Sequence, residues 1–532
     1  MATFPTSITF QDTGYFSEMM CDYLERSPKV SAFYNNFPDF DGFGKQLKEK
    51  GKHYPSAFRK VLSDALKTQY EGFSTSEPTL VNINLLKEPD AFTVTTGHQL
   101  NLFTGPLYFL YKIASVINMA RELKSQFPEN EFIPVYWMAS EDHDFDEIRF
   151  FNFKGSKLSW KREASGAVGR LSTDGLDKVL KELDDLLGPG KNAKHLSNLF
   201  RESYLEHDTL SEATRYLANE LFGKEGLVIV DGDDPELKRL FAPKVKEELL
   251  DQNCVSEVSK TNEILEKNYH IQVNPREINL FYLTEGLRER IVFEEGAYRV
   301  NHTDLVFTPE SMIEELENHP ERFSPNALMR PLYQEVILPN LSYTGGGGEL
   351  AYWMQLKSYF EKVDVPFPIL HLRNSALLFS EKDLRKMEKL NIQVPELFQD
   401  QNSLVAEKVK ELSDLTIDFS PERKHLEEMF ESMKVIAEQT DKSFIGAVLA
   451  QEKKQLNGLD KLEKRLLRAQ KRKYSDRVAR IKTLQDQLFP KGSLQERQAN
   501  FSEFYEELGL ELMPLILRRL DPFKMEFDLI KI

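Results

Sequence analysis

Cysteine is scarce in this chain. Cys21 and Cys254 are its only two thiols in 532 residues, so no disulfide framework holds the fold and a reducing cytosol suits it. Neither lies in a motif with a paired histidine, which argues against a thiol nucleophile. Long apolar runs are also missing. No stretch of about 18 apolar residues occurs, and the N-terminus has no cationic-then-apolar leader. Neither membrane spanning nor export is expected, and the expected compartment is the cytoplasm. Positive charge is in deficit: 69 Lys and Arg face 85 Asp and Glu, for a net charge of −16. Nucleic acid is therefore not an expected partner, because phosphate binding needs a basic footprint. The glycine spacings of dinucleotide and Walker sites are absent as well.

What is present describes a globular protein, with 41% hydrophobic and 29% charged residues. The length exceeds what one core can organise, so two or three domains are expected. The stretch 91–147 is the most informative. Ala91 to Thr96 is a β-branched and aromatic run. A helix is expected from about Pro106 to Lys124, and a second apolar run spans Phe132 to Ala139. Strand, helix, strand is the βαβ signature of a parallel sheet, and runs without alternation suit strands covered on both faces.

Polar residues gather where these strands end. The first runs into Gly97, His98, Gln99, Asn101, Thr104 and Gly105; the second into Ser140, Glu141, Asp142, His143 and Asp144. A third buried-type strand, Leu227 to Val230, stops at Asp231, with Asp234-Pro235 as a helix start. Ligands of open α/β sheets sit outside the carboxyl ends of the strands, so these tips are expected to share one crevice. In EDHDFDE a carboxylate could serve as general base or orient His143. A helix N-terminus favouring acids would account equally for Asp144, Asp146 and Glu147, though not for His143. No His-x3-His pair, cysteine or second histidine lies near that cluster, and no metal site is expected.

The rest of the chain supplies the frame. Residues 1–90 are expected to be helical and without chemistry. Residues from about 151 to 225 form a helical insertion, and 278–307, within an insertion of about 255–320, form an antiparallel meander with Glu-Gly turns. Gly345 to Gly348 precede an expected helix from Glu349 to about Lys362; such a turn frees backbone N–H groups for phosphate or carboxylate. One more strand ends at Arg373 and Asn374. Helices are expected at 402–416, 421–440 and 442–488, the last carrying a narrow apolar stripe that suits an antiparallel coiled-coil hairpin or dimer arm. Its basic stretch at 461–482 is best explained as a solvated face. The alternating end, MEFDLIKI, is expected to return as a strand. The resulting division is 1–383, 384–510 and 511–532.

Four segments, TGHQLNLFTGPLYFLYK, PVYWMASEDHDFDEI, RPLYQEVILPNLSYTGGGGELAYWMQLK and LDPFKMEFDLI, together resemble the cysteine-adding enzymes of bacillithiol biosynthesis, the cysteine ligase family. They span nearly the whole chain in the family's order. The resemblance implies an α/β, Rossmann-like parallel-sheet core with connecting-peptide insertions, related to nucleotidyltransferases and class I aminoacyl-tRNA synthetases. It also implies an α-helical coiled-coil domain that makes a homodimer. The implied reaction adds cysteine to glucosaminyl-malate as an amide, the last step of the pathway. At position 98 the family is expected to carry Gln, so His98 is not expected to be an essential catalyst. The sequence leaves the cofactor open: ATP would activate the acyl group, and both signatures of the adenylating relatives are not found.

Amide formation needs an activated acyl group and a base for the amine. The candidate base or amine anchor is Glu141, Asp142 or Asp144, with His143 orienting it or stabilising an oxyanion. The amides of Gly345, Gly346, Gly347 and Gly348, with Arg330 and Arg373, would hold carboxylates or a phosphate. Asn101, Thr104 and Lys112 would line the other wall. Gly97, His98, Gly105, Trp137, Glu349, Tyr352 and Asn374 complete the candidate binding set. Two rivals are a nucleotidyltransferase-like enzyme acting on another small carboxylate and a non-catalytic dimeric scaffold.

Overall fold

The structure, a computed structural model, describes residues 6–440 and 442–532. Five parallel strands form its centre, in the order Ile369–Leu372, Asn340–Gly345, Ala91–His98, Glu131–Met138, Val228–Asp231. Strand 91–98 is buried along its whole length, which is why its sequence shows no alternation. Helix Tyr108–Gln126 crosses from strand 91–98 to strand 131–138 and packs on both. The N-terminal helices Phe40–His53 and Ser56–Gln69 pack against other strands of the same sheet.

Strand 340–345 was not legible in the sequence. No element was expected at Asn340 to Thr344, whose polar residues lead into the glycine turn, yet every residue of this strand is buried. Its polar groups are satisfied internally. Thr93 and Thr95 donate to Asn340 Oδ1 at 3.1 and 2.8 Å, and Asn340 Nδ2 donates to Glu335 Oε1 at 2.6 Å. Buried Lys50 reaches Glu335 Oε2 at 3.3 Å and fixes an N-terminal helix to this network. Polar side chains are tolerated at the centre of the sheet because each has a partner.

Other expectations shift in detail. The glycine run is not a free turn: Gly345 ends the strand, Gly346 caps the helix and Gly347–Met354 is already helical. The helix expected to reach Lys362 breaks after Met354 and resumes at Lys357–Lys362. The segment 366–379 holds two strands, not one. Ile369–Leu372 joins the parallel sheet, whereas Ser375–Phe379 pairs with the returning strand Phe527–Lys531, which in turn pairs with Ser7–Ile8.

The meander forms as expected, with strands Leu280–Thr284, Leu287–Glu294, Ala297–Val300 and Val306–Phe307; Phe323–Pro325 adds to its other edge. At its Glu295-Gly296 turn both residues have positive φ, the backbone a two-residue hairpin requires. Helix Ser420–Glu438 pairs antiparallel with Lys442–Lys473, through Arg423–Asp460, Lys434–Glu452 and a small core of Phe430, Ala437 and Val448. The single helix expected over 442–488 is interrupted at Tyr474, whose hydroxyl donates to the Leu412 carbonyl, and Ser475–Leu488 continues beyond it. Among the described residues no helix is long and apolar enough to cross a membrane.

Glu248 anchors the start of the meander. It accepts from Asn279 N and Nδ2 and from Cys254 N, at 3.1, 2.9 and 3.2 Å. Burial outweighs these bonds and pushes its pKa up to about 7. The folded carboxyl therefore holds its proton more tightly than the unfolded one, and this group's contribution to stability falls as pH rises from about 4.5 to about 7. Glu248→Gln should remove that fall, about 3 kcal/mol at full shift, in urea unfolding followed at several pH values. Parallel pH profiles of the two proteins would refute it.

Candidate active site

A cavity of about 590 Å³ opens at the carboxyl ends of the central strands. In sheet order, strand 340–345 contributes Tyr343, strand 91–98 contributes Gly97 and His98, and strand 131–138 contributes Trp137 and Met138 before the chain turns through Ser140 to His143. Tyr108 and Lys112 reach in from the crossover helix, one turn apart, and Glu349 and Tyr352 from the helix after the glycines. The meander closes the cavity with Phe281 and Arg288, and Asn326 and Arg330 complete the rim.

One side of the cavity is built on Lys112. Its Nζ donates to the Gly97 carbonyl at 2.7 Å and to Glu349 Oε1 at 2.6 Å, while the Tyr343 hydroxyl donates to Glu349 Oε2 at 2.8 Å. Burial alone would raise the Glu349 pKa, but Lys112 and Tyr343 together hold it below the usual range. A Cβ at Gly97 would stand 3.0 Å from the Tyr343 hydroxyl, so any larger residue there requires that side chain to shift. The Arg330 guanidinium lies over the Tyr343 and Trp353 rings, at 5.4 and 5.8 Å. Its Nη1 donates to Gln334 Oε1 at 3.1 Å, and its buried Nη2 makes no well-formed hydrogen bond, with the Tyr352 side chain beside the guanidinium. His98 is buried against Tyr108 and Phe109; burial, reinforced by nearby Lys112, pushes its pKa well below the usual value.

The other side is acidic, and most of its charge is already matched. Glu141 lies 2.6 Å from Lys238 Nζ, which also reaches Asp233 at 3.3 Å. Burial raises the Glu141 pKa against the opposing pull of Lys238. Arg170 grips Asp233 with two bonds of 2.6 and 2.8 Å. Asp231, at the third strand tip, accepts from Ser140 and from Asp233 N; it braces the loop from beneath and does not line the cavity. Asp142 does line it, accepting from Gln99 Nε2 at 2.9 Å and from His143 N at 2.7 Å. His143 Nδ1 lies 2.6 Å from Arg288 Nη1.

Several expected residues lie elsewhere. Asp144 caps the short helix Phe145–Ile148, as a helix-start reading requires. Asn101, Thr104 and Gly105 form the tight turn into the crossover helix: Thr104 and Gly105 have positive φ, and a Cβ on Gly105 would strike Asn101 at 2.5 Å. None of Gly345 to Gly348 lines the cavity, because the strand end and first helical turn absorb them; Glu349 and Tyr352 take that place. Arg373 is buried on Glu496 at 2.7 Å, and Asn374 bonds Ser115 and the Asp521 carbonyl. Both join the core to the C-terminal segment. Arg288, Phe281, Tyr343 and Lys238 were missed by sequence reasoning. Arg288 stands in LRERIVF, where nothing local separates it from its equally half-buried neighbours Glu289 and Arg290; Tyr343 lay in the unrecognised strand.

Lys112→Met should leave half-buried Glu349 without its cation and cost about 2 kcal/mol, with recovery in the Lys112→Met, Glu349→Gln double variant. The unfolding midpoint in urea measures both. A neutral single variant would show that the pair does not hold this wall.

Two family models match the chain. "Bacillithiol biosynthesis BshC, N-terminal Rossmann-like domain" matches residues 5–374, and "Bacillithiol biosynthesis BshC, C-terminal coiled-coil domain" matches 376–532. Proteins named "Putative cysteine ligase BshC" are similar along their whole length. That of Christiangramia forsetii is 54% identical over 99% of both chains, and that of Flavobacterium johnsoniae 53% over 99% of both. That of Cytophaga hutchinsonii is 37% identical over 97% of this chain and 96% of its own.

Proposed function

This chain belongs to the bacillithiol biosynthesis BshC family, and from that premise we propose that its cavity joins cysteine to the amine of glucosaminyl-malate, forming the amide that completes bacillithiol. The observation that carries this reading is the polarity of the crevice. Arg330 offers an unpartnered N–H on the side of strand 340–345, while Asp142 follows strand 131–138. The Arg330 guanidinium stands beside Gly97, where a Cβ would lie 3.6 Å from its Nη1, and Asp142 follows the neighbouring strand, so both face one cavity. A cation and a carboxylate lining the same cavity suit substrates that carry both a carboxylate and an amine.

The roles follow from what each group has free. Glu141 is paired with Lys238 and Asp144 caps a helix end, which leaves Asp142, held by Gln99 and His143 N but by no Lys or Arg among the described residues, as the base or amine anchor. In the reaction the amine nitrogen bonds to the activated carboxyl carbon of cysteine, the activating group departs, and the nitrogen gives up a proton to Asp142. Arg330 holds a substrate carboxylate. His143 donates to the carboxyl oxygen as charge gathers on it. Trp137, Phe281 and Tyr343 line the cavity and would keep water from the acyl group.

Asp142→Asn and Arg330→Ala, each as sole copy in cells, should lower bacillithiol at least about tenfold while the purified proteins unfold at unchanged urea concentrations. Wild-type thiol levels in both strains would end this reading.

We also propose that the helical arm forms a homodimer. Met429, Met433 and Ile436 recur at helical spacing on helix 420–438 and stay 45%, 40% and 61% exposed, an apolar stripe of the kind that associates. Met433→Glu with Ile436→Glu should halve the mass measured by light scattering. An unchanged mass would move the interface elsewhere.

A further inference from the structure

The contact between the meander and the strand-tip loop sets the chemistry of His143. Arg288, on strand Leu287–Glu294, is held on every side of its guanidinium. Nε donates to Ser324 Oγ at 3.1 Å and Nη2 to the Pro325 carbonyl at 3.0 Å, and the group lies 4.0 Å above the Phe281 ring. Its remaining nitrogen, Nη1, meets His143 Nδ1 at 2.6 Å. Arginine has donors only. Nδ1 must therefore be the acceptor, and the neutral ring carries its proton on Nε2.

We propose that Arg288 is a positioning residue that fixes His143 in the Nε2–H form, so that the ring serves the reaction as a hydrogen-bond donor and not as the base. With its Nδ1 lone pair occupied and its Nε2 protonated, the ring has no site for the amine proton. It can donate to the oxygen that gains charge when nitrogen adds to the acyl carbon, and the proton goes to Asp142. The insertion thereby supplies part of the active-site machinery through a second element, much as outer groups orient the ligands of metal sites. This deepens the amide-forming reading and rests on it.

Two measurements separate the ideas. In the full chain with ¹⁵N-labelled histidine, the His143 ring nitrogens, assigned by their loss in His143→Gln, should show the Nε2–H form; Arg288→Ala should shift them toward a mixture. An Nδ1–H form or an imidazolium at neutral pH in the wild type overturns the proposal. In the thiol-forming assay Arg288→Ala should lose roughly tenfold or more in kcat with KM within about twofold. Added guanidinium should restore the rate and urea should not. His143→Gln, which keeps an N–H donor, should retain more activity than His143→Ala. Equal restoration by urea, or equal losses in the two His143 variants, also overturns it. A wild-type chain that forms no amide at all would defeat the functional reading, while the nitrogen spectra would still decide the role of Arg288.

Discussion

Parallel pairing of the central strands is the constraint from which the rest follows. Thr344, Thr96 and Tyr136 stand side by side across three strands, and the pairing runs on to His98 beside Met138. Because these strands run the same way, their chains all leave the sheet at one edge. Residues 97, 140 and 343, far apart in sequence, become neighbours at a single crevice. A slip of one residue would turn every side chain of a strand to the opposite face. The buried bonds from Thr93 and Thr95 to Asn340, and on to Glu335 and Lys50, hold that alignment.

Charge is the second organising theme. An acidic chain brings four carboxylates, Glu141, Asp142, Asp231 and Asp233, to adjacent strand ends. Close carboxylates repel, and each buried one needs a partner. Lys238 and Arg170 supply partners from neighbouring elements, and Ser140 satisfies Asp231. After this neutralisation Asp142 remains as the partly exposed carboxylate on the cavity wall. Lys112 and Glu349 cancel one another in the same way across the crevice, which leaves Arg330 with the unused donor. The polarity of the site is thus a residue of many pairings, not a sum of the charges seen in the sequence.

The meander completes the enclosure, and the C-terminal segment fastens onto the core. Glu248 and Asn279 fix the root of the meander, and Arg288 carries its far side to the strand-tip loop. At the carboxyl end of strand 369–372, Arg373 and Glu496 form a buried pair that binds the parallel core to the segment leading to the terminal strand. The helical arm projects from this body and exposes apolar side chains that the core leaves uncovered.

The βαβ unit at 91–138, the meander and the antiparallel arm were legible because their signals are local: apolar runs, turn residues and helical spacing act within one element. The strand tips were legible for the same reason, since polar residues at the end of a buried run have nowhere to go but a crevice. Strand 340–345 was not, because its polar residues belong in a sheet only when Thr93, Thr95 and Glu335 are there to meet them. Neither were Arg288 and Lys238, whose roles depend on partners more than 90 residues away in the chain. The sequence by itself determined the periodicities, and with them the βαβ unit, the meander and the helical arm. Which carboxylate stays free, which cation keeps an unused donor and which nitrogen of His143 bears the proton were decided only by tertiary structure, because each depends on a hydrogen bond between segments that local sequence cannot pair.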